Sequence, residues 1–232
     1  MKTIRIFFVL LLFFVQLSEI VQASNIVNIN QQSFRFSMTI PDGWDSIPST
    51  EIKKKFGDMP IVLVLYPKKQ DYYFLNNYVL ITVMPTVKSL DNYKFNDIVT
   101  QVKQMAKAVQ DKQSDTLRID GETIDSYVFE DGFHVTNNMN IFKDSTVLAC
   151  VQDLLLTKFG YISIASYSKD CDIQLQSNNV AKIISQNIKV DSDYKYVEPK
   201  TNSLFTIRNI AISVGVGILV FLIMSFIGKK KK

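Results

Sequence analysis

The sequence predicts an α+β domain, a mostly antiparallel sheet with flanking helices, followed by one C-terminal transmembrane helix. Three observations predict it. Residues 94–110 and 176–188 carry apolar side chains at three- and four-residue steps, the period of a helix with one buried face. Five strand-like runs between 115 and 168 are separated by short turn signals, and links that short join antiparallel neighbours. Ile210 to Ile227 reads IAISVGVGILVFLIMSFI, eighteen residues without a charge.

That last run spans about 27 Å as a helix, close to the hydrocarbon thickness of a bilayer. It has no polar face, which a buried helix of a soluble protein would need. The span is set at 207–228, and Lys229 to Lys232 follow as a cationic cytoplasmic tail. Ile210 and Ile227 bound the membrane anchor. Gly215 and Gly217, with Ala211 and Ser213, give the small-xxx-small spacing that lets two such helices approach, so a homodimer is one arrangement the sequence allows.

At the other end, Lys2 and Arg5 precede the ten-residue apolar run Ile6 to Val15, too short for a span and laid out as a secretory signal. Val21 and Ala23 meet the small-residue rule for cleavage, so residues 1–23 are expected to leave. The exported domain is then 24–190, and 191–206 is a polar tether to the membrane. The formal charge of +4 misleads about partners. Seven of the 26 Lys and Arg lie in the terminal segments against one of the 22 Asp and Glu, which leaves 19 against 21, a net −2. Nucleic-acid binding is therefore excluded as a reading. The chain has no Asn-x-Ser/Thr sequon, which points to a bacterial origin. The expected location is the inner cell membrane, with a single pass, the domain in the periplasm or outside, and the C-terminus in the cytoplasm.

Within the domain, Phe34, Phe36, Met38 and Ile40 alternate with polar residues, the pattern of a half-buried strand over 33–40. Pro41-Asp42-Gly43-Trp44 supplies turn chemistry. Ser49 to Phe56 makes two helical turns stopped by Gly57. Ile61 to Tyr66 is apolar on both faces and reads as an interior strand, and Val79 to Met84 as the next. The loop between them carries Tyr72, Tyr73 and Phe74. The helix over 94–110 places Phe95, Ile98, Val99, Val102, Met105, Ala106 and Val109 on one face. Asp120-Gly121 and Asp131-Gly132 predict hairpin turns, with further turns at Lys143-Asp144 and Phe159-Gly160. These turns bound strands at 115–119, 122–130, 133–142, 145–156 and 161–168. The two cysteines of an exported chain, Cys150 and Cys171, are a candidate disulfide. The turn near Lys158–Gly160 sets Cys150 opposite residues 167–169, just short of Cys171, so free thiols stay open as the alternative.

This order of elements resembles the PsbP/Mog1-like α-β-α sandwich over about residues 30–190. Phe34, Phe36, Pro41 and Trp44 are similar to the F-x-F-x-x-x-x-P-x-x-W entry of small bacterial exported members. The resemblance implies the fold. That family includes a photosystem accessory subunit, a Ran-binding protein and bacterial envelope proteins, so it implies no single function.

No catalytic signature stands out. Nucleophilic hydrolysis needs a base beside Ser or Cys, and the one histidine, His134, falls on the polar face of an alternating strand, as a solvated or hydrogen-bonded side chain. One His and two Cys twenty-one residues apart do not make a zinc site. Asp91 with Asp97, and Asp170 with Asp172, lack the spacing of a calcium loop. No glycine-rich phosphate loop precedes a helix. No metal or cofactor is expected. Trp44 and the Tyr72–Phe74 cluster remain as binding candidates, with burial under the fold as their bland explanation.

The leading expectation is a non-catalytic, membrane-anchored envelope module that touches membrane lipid through its C-terminal helix and a protein partner through a sheet edge or the aromatic loop. The alternatives are an envelope hydrolase using His134 or scattered carboxylates, and a domain that grips a small apolar ligand between sheet and helix. The module reading predicts no buried cleft joining His134 to a Ser, Cys or carboxylate, whereas a hydrolase requires that constellation.

Overall fold

A computed structural model describes residues 25–74, 76–111, 117–143, 146–169 and 174–200. The expected signal segment and membrane span lie outside these. No helix among the described residues is long and apolar enough to cross a membrane.

The chain opens with a hairpin of β1 (Ile26–Gln31) and β2 (Phe34–Thr39), the latter burying Phe34, Phe36 and Met38. The turn at Pro41–Gly43 is closed by Trp44 N donating to Pro41 O at 3.1 Å, with Gly43 at φ +79°. Then come β3 (Trp44–Ser46), α1 (Ser49–Phe56), β4 (Ile61–Pro67), β5 (Asn77–Pro85) and α2 (Phe95–Gln110). The meander follows as β6 (Leu117–Phe129), β7 (Gly132–Lys143), β8 (Thr146–Thr157) and β9 (Gly160–Ser168). Helix α3 (Gln174–Gln186) and the short β10 (Lys189–Val190) close the domain.

Seven strands form one antiparallel sheet in the order β3-β4-β5-β9-β8-β7-β6, and β1, β2 and β10 form a second, small sheet. Strand β9 lies at the centre and is buried along its whole length on both faces. On one face α2 seats Ile98, Val99 and Val102 against Leu80, Val135, Ile141 and Leu154, with α1 adding Phe56. On the other, α3 and the small sheet press Ala181, Ile184, Phe34 and Phe36 onto Val79, Ile81, Leu155 and Ile164. The α+β class and the largely antiparallel sheet stand as expected.

Two local readings change, and one beside them holds. Asp120-Gly121 is not a hairpin: β6 runs through it as one 13-residue strand, and the pairing with β7 shifts register between Asp120 and Thr123. The turn chemistry is spent there as a bulge, because β7 is long enough to pair on both sides of it. At Asp131-Gly132 the hairpin does form, as the two-residue link Glu130–Asp131 with Glu130 at φ +51°, and Gly132 opens β7. The stretch expected as the start of a free tether is instead part of the domain. Asp191 N donates to Arg35 O at 3.0 Å, Lys158 N to Tyr194 O at 2.7 Å, and Tyr196 is buried with its hydroxyl on Tyr93 O at 2.7 Å. Val197 N reaches Asp91 Oδ1 at 2.9 Å, and Glu198 Oε1 accepts from Phe95 N at 2.9 Å, capping the first turn of α2. Residues 191–198 thus form a strap across the end of the sheet.

Candidate functional site

The site grows from the register of β6, β7 and β8. Tyr127 lies directly opposite His134, and His134 opposite Leu155, while Asp153 pairs with Thr136. With a side-chain period of two, Tyr127, His134, Asp153 and Leu155 therefore share one face. Helix α3 crosses that face and brings Ser185 down onto it.

The result is a largely buried polar cluster. The rings of Tyr127 and His134 stack at 4.6 Å with 8° between planes. Tyr127 donates its hydroxyl to Asp153 Oδ2 at 2.5 Å, and His134 Nδ1 lies 3.0 Å from Asp153 Oδ1. Ser185 Oγ is also 3.0 Å from His134 Nδ1. His134, Asp153 and Ser185 are 2%, 0% and 1% exposed, so water cannot substitute for any of these partners. Burial and, after it, the charge of Asp153 push the Tyr127 phenol well above its ordinary range; a hydrogen bond with Ser185 pulls the other way. Lys182 Nζ sits 4.9 Å from the Tyr127 ring centroid, closing the outer side.

Alternation assigns His134 to the polar face of its strand, as a solvated or hydrogen-bonded side chain. The alternation holds, and of the two environments it is the hydrogen-bonded one: Val135, Asn137, Met139 and Ile141 face the α2 side, and α3 roofs the opposite face at His134. The expectation that no cleft joins His134 to a Ser or carboxylate fails. The atoms decide what the constellation can do. Asp153 and Ser185 meet the same ring nitrogen, whereas a nucleophile–base–acid relay needs them on opposite nitrogens.

The far side of the imidazole opens on a cleft of about 500 Å³ between the β6–β7 turn, the end of α3 and the strap. Leu155, Leu156 and Ile188 form its walls; Glu130, Asp131, Lys189 and Lys195 form its rim. Lys195 pairs with Asp131 across the mouth, and that hydrogen bond holds the Asp131 carboxyl below its ordinary range. Gly132 lies beside the ring: a Cβ there would stand 2.9 Å from His134 Nε2 and 3.3 Å from Leu155 Cδ1.

The residues expected to bind do not meet at this cleft. Trp44 sits on β3, the opposite edge of the large sheet, half-buried against the Phe34 side of the core. Tyr73 and Phe74 pack on the other core, Phe74 edge-on to Phe56 and Tyr78 at 5.4 Å each and Tyr73 against Tyr66 at 4.9 Å. Lys55 Nζ covers the Phe74 ring at 3.7 Å, and only Tyr72 of the three points outward. Cys150 is a buried free thiol opposite Tyr167, and Cys171 lies outside the described residues, as do Ile210, Gly215, Gly217 and Ile227. Among the described residues no group of three or more His, Cys, Asp or Glu could hold a metal ion. Asp153, Ser185 and Tyr127 were missed by sequence reasoning. One signal pointed to Asp153: it is the lone acid in the apolar run of β8, and a charge in an interior strand needs a partner.

No family model matches the chain, and no curated protein matches it. Among solved structures the chain is similar to the solution structure of cyanobacterial PsbP (CyanoP) from Synechocystis sp. PCC 6803. The identity is 14% and the TM-score 0.47, over 75% of this chain and 96% of that one. It is also similar to the crystal structure of LpqN, involved in cell envelope biogenesis of Mycobacterium tuberculosis, at 10% identity and TM-score 0.47, over 71% of this chain and 90% of that one. The neighbours are of the PsbP/Mog1-like kind that the element order resembles. At these identities and this TM-score, nothing about ligand, partner or activity follows from either.

Proposed function

We propose that the chain is a membrane-anchored, non-catalytic binding module of a bacterial cell envelope. Its α+β domain is held on the outer face of the inner membrane by the C-terminal helix and binds through the cleft beside His134. One observation supports this reading: Lys195 and Tyr196, of the strap that ends the described chain, line the cleft. From the last described residue, Lys200, the six residues to the span reach at most about 20 Å. The cleft thus stays close to the bilayer surface, where an anchored partner or ligand is available to it. The buried aromatic loop offers only Tyr72 as a rival surface.

The test is photo-crosslinking in intact cells with a benzoylphenylalanine placed at Glu130 on the cleft rim or at Tyr72 on the loop. Adducts to an envelope component from Glu130 and not from Tyr72 support the cleft; the reverse pattern moves binding to the loop. Homodimers through the membrane helix would appear in the same gels at twice the chain's mass. The placement itself predicts that full-length protein stays with membranes at alkaline pH and that protease reaches the domain only from outside.

A second reading, an envelope hydrolase, is favoured by the Tyr127–Asp153–His134 chain, which would support the free ring nitrogen as a base toward water. It requires ester hydrolysis by the purified full chain that His134→Gln abolishes. Hydrolysis that survives the substitution, or none at all, rejects it.

A further inference from the structure

We propose that the cleft is a ligand site read by a single atom, His134 Nε2, and that it takes a neutral molecule carrying an N–H or O–H donor on an apolar body. This rests on the binding-module reading above and names the class of ligand for that same cleft.

The first support is a proton count in the buried cluster. Tyr127 gives its hydrogen to Asp153 Oδ2. An ionised carboxylate only accepts, so Asp153 Oδ1 at 3.0 Å from Nδ1 demands a proton on Nδ1. A bare Nδ1 would set lone pair against lone pair where no water can relieve them. Ser185 Oγ, at 3.0 Å from the same nitrogen, serves as a second acceptor. Tyr127 and Nδ1 then each have an acceptor inside the cluster, and the proposal takes the ring with that one proton, which puts its lone pair on Nε2. Among the described residues, no hydrogen bond reaches that atom.

The second support is access. Gly132 is not in the left-handed region, so its backbone does not call for glycine. What the position does is leave room beside Nε2 on the cleft side of an otherwise buried ring, since a Cβ would lie 2.9 Å from it. The third is the electrostatics of the mouth. Glu130 and Asp131 face Lys189 and Lys195, two charges of each sign with one pair already joined, so the rim has no net field to hold an ion. Leu155, Leu156 and Ile188 give it apolar wall beside Ser185 and Gln186, and the volume of about 500 Å³ suits a small molecule. An acceptor at the floor of an apolar cleft selects for a donor by leaving itself unpaired with anything else.

His134 is the chain's only histidine, so its ring can be followed without assignment. Full-length protein with ¹⁵N-labelled histidine, held in phosphatidylcholine nanodiscs near neutral pH, should show the hydrogen on Nδ1 and a bare Nε2 in long-range ¹⁵N–¹H spectra. Indole, with an N–H donor, should move the Nε2 resonance saturably. Benzofuran, the same shape without the donor, should bind about five- to tenfold more weakly and leave Nε2 in place. Gly132→Ala should abolish the indole response while the far-ultraviolet circular dichroism stays unchanged. A ring protonated at Nε2, an equal response to the two probes, or no response to either overturns the proposal. The first two arms use the unaltered chain, so a Gly132→Ala variant that fails to fold does not shelter it. Protein that washes off membranes would defeat the envelope placement and leave these spectra standing; an indifferent Nε2 would defeat the ligand site and leave the placement standing.

Discussion

Asp153 concentrates the chemistry of the domain into one side chain. A fully buried carboxylate is tolerable because Tyr127 and His134 each serve one of its oxygens. Removing it strands two polar groups under α3, so Asp153→Ala should lower the urea-unfolding free energy by about 3 kcal/mol or more. Tyr127→Phe, which removes one donor and keeps the ring stack, should cost about 1 kcal/mol. Equal losses from the two would show that the carboxylate is not the hub. Cys150 shows the same logic without a charge. Burial pushes its thiol up to about 12, a hydrogen bond with Tyr167 pulling slightly back. In a Cys171→Ser chain, thiol reagent at pH 8 should react with Cys150 only as the domain unfolds in urea. The sign of its pH dependence follows. The unfolded thiol loses its proton near its ordinary value of 9.0 while the folded one keeps it. Stability is therefore full below pH 9 and falls as pH rises toward 12. The buried phenols of Tyr78 and Tyr167, likewise raised by burial, steepen that fall. A stability profile flat to pH 11 would contradict it.

At the scale of elements, two glycines in unusual backbone conformations do different work. Gly57 ends α1 at φ +65°, and a Cβ there would meet nothing within 4 Å, so Gly57→Ala should cost about 1 kcal/mol, the strain alone. Gly160 starts β9 at φ +150°, and a Cβ there would stand 2.1 Å from Met84 O on the neighbouring β5. That is backbone, and it cannot rotate away. Gly160→Ala should cost about 3 kcal/mol or more and lower the melting temperature well beyond the Gly57 variant. The comparison separates local strain from the close approach of central strands. The cap on α2 is of another kind: its first-turn N–H is met by Glu198, from the far end of the domain.

For the whole molecule, the strap over residues 191–198 is the feature with most reach. It buries Tyr196 against Phe133, whose ring is edge-on at 5.0 Å, and it lines the cleft. Tyr196→Ala in the full chain should cost about 3 kcal/mol of domain stability while membrane attachment persists, because the proposed anchor is a separate segment. Were stability unchanged, the strap would be a passenger and the cleft's third wall would not be part of the fold. Because the strap belongs to the domain, the proposed connection to the bilayer is short, with no long free linker between them.

Local chemistry shows plainly in the sequence where a period carries it. Alternation named β2 and the inward face of β7, and three- and four-residue steps named α2. Those signals survive because they depend on neighbours a few positions away. The remainder depended on what came to lie across from each residue. Asp120-Gly121 and Asp131-Gly132 are the same dipeptide; one became a bulge and the other closes a turn, according to whether β7 continued opposite. His134 alternates as an outward residue and is buried nonetheless, since α3, fifty residues on, covers it. Tyr127, Asp153 and Ser185 carry no motif in common and are joined only by strand register and helix packing. A polar side chain's environment is set by long-range pairing, and pairing is a property of the folded chain, not of any window along it.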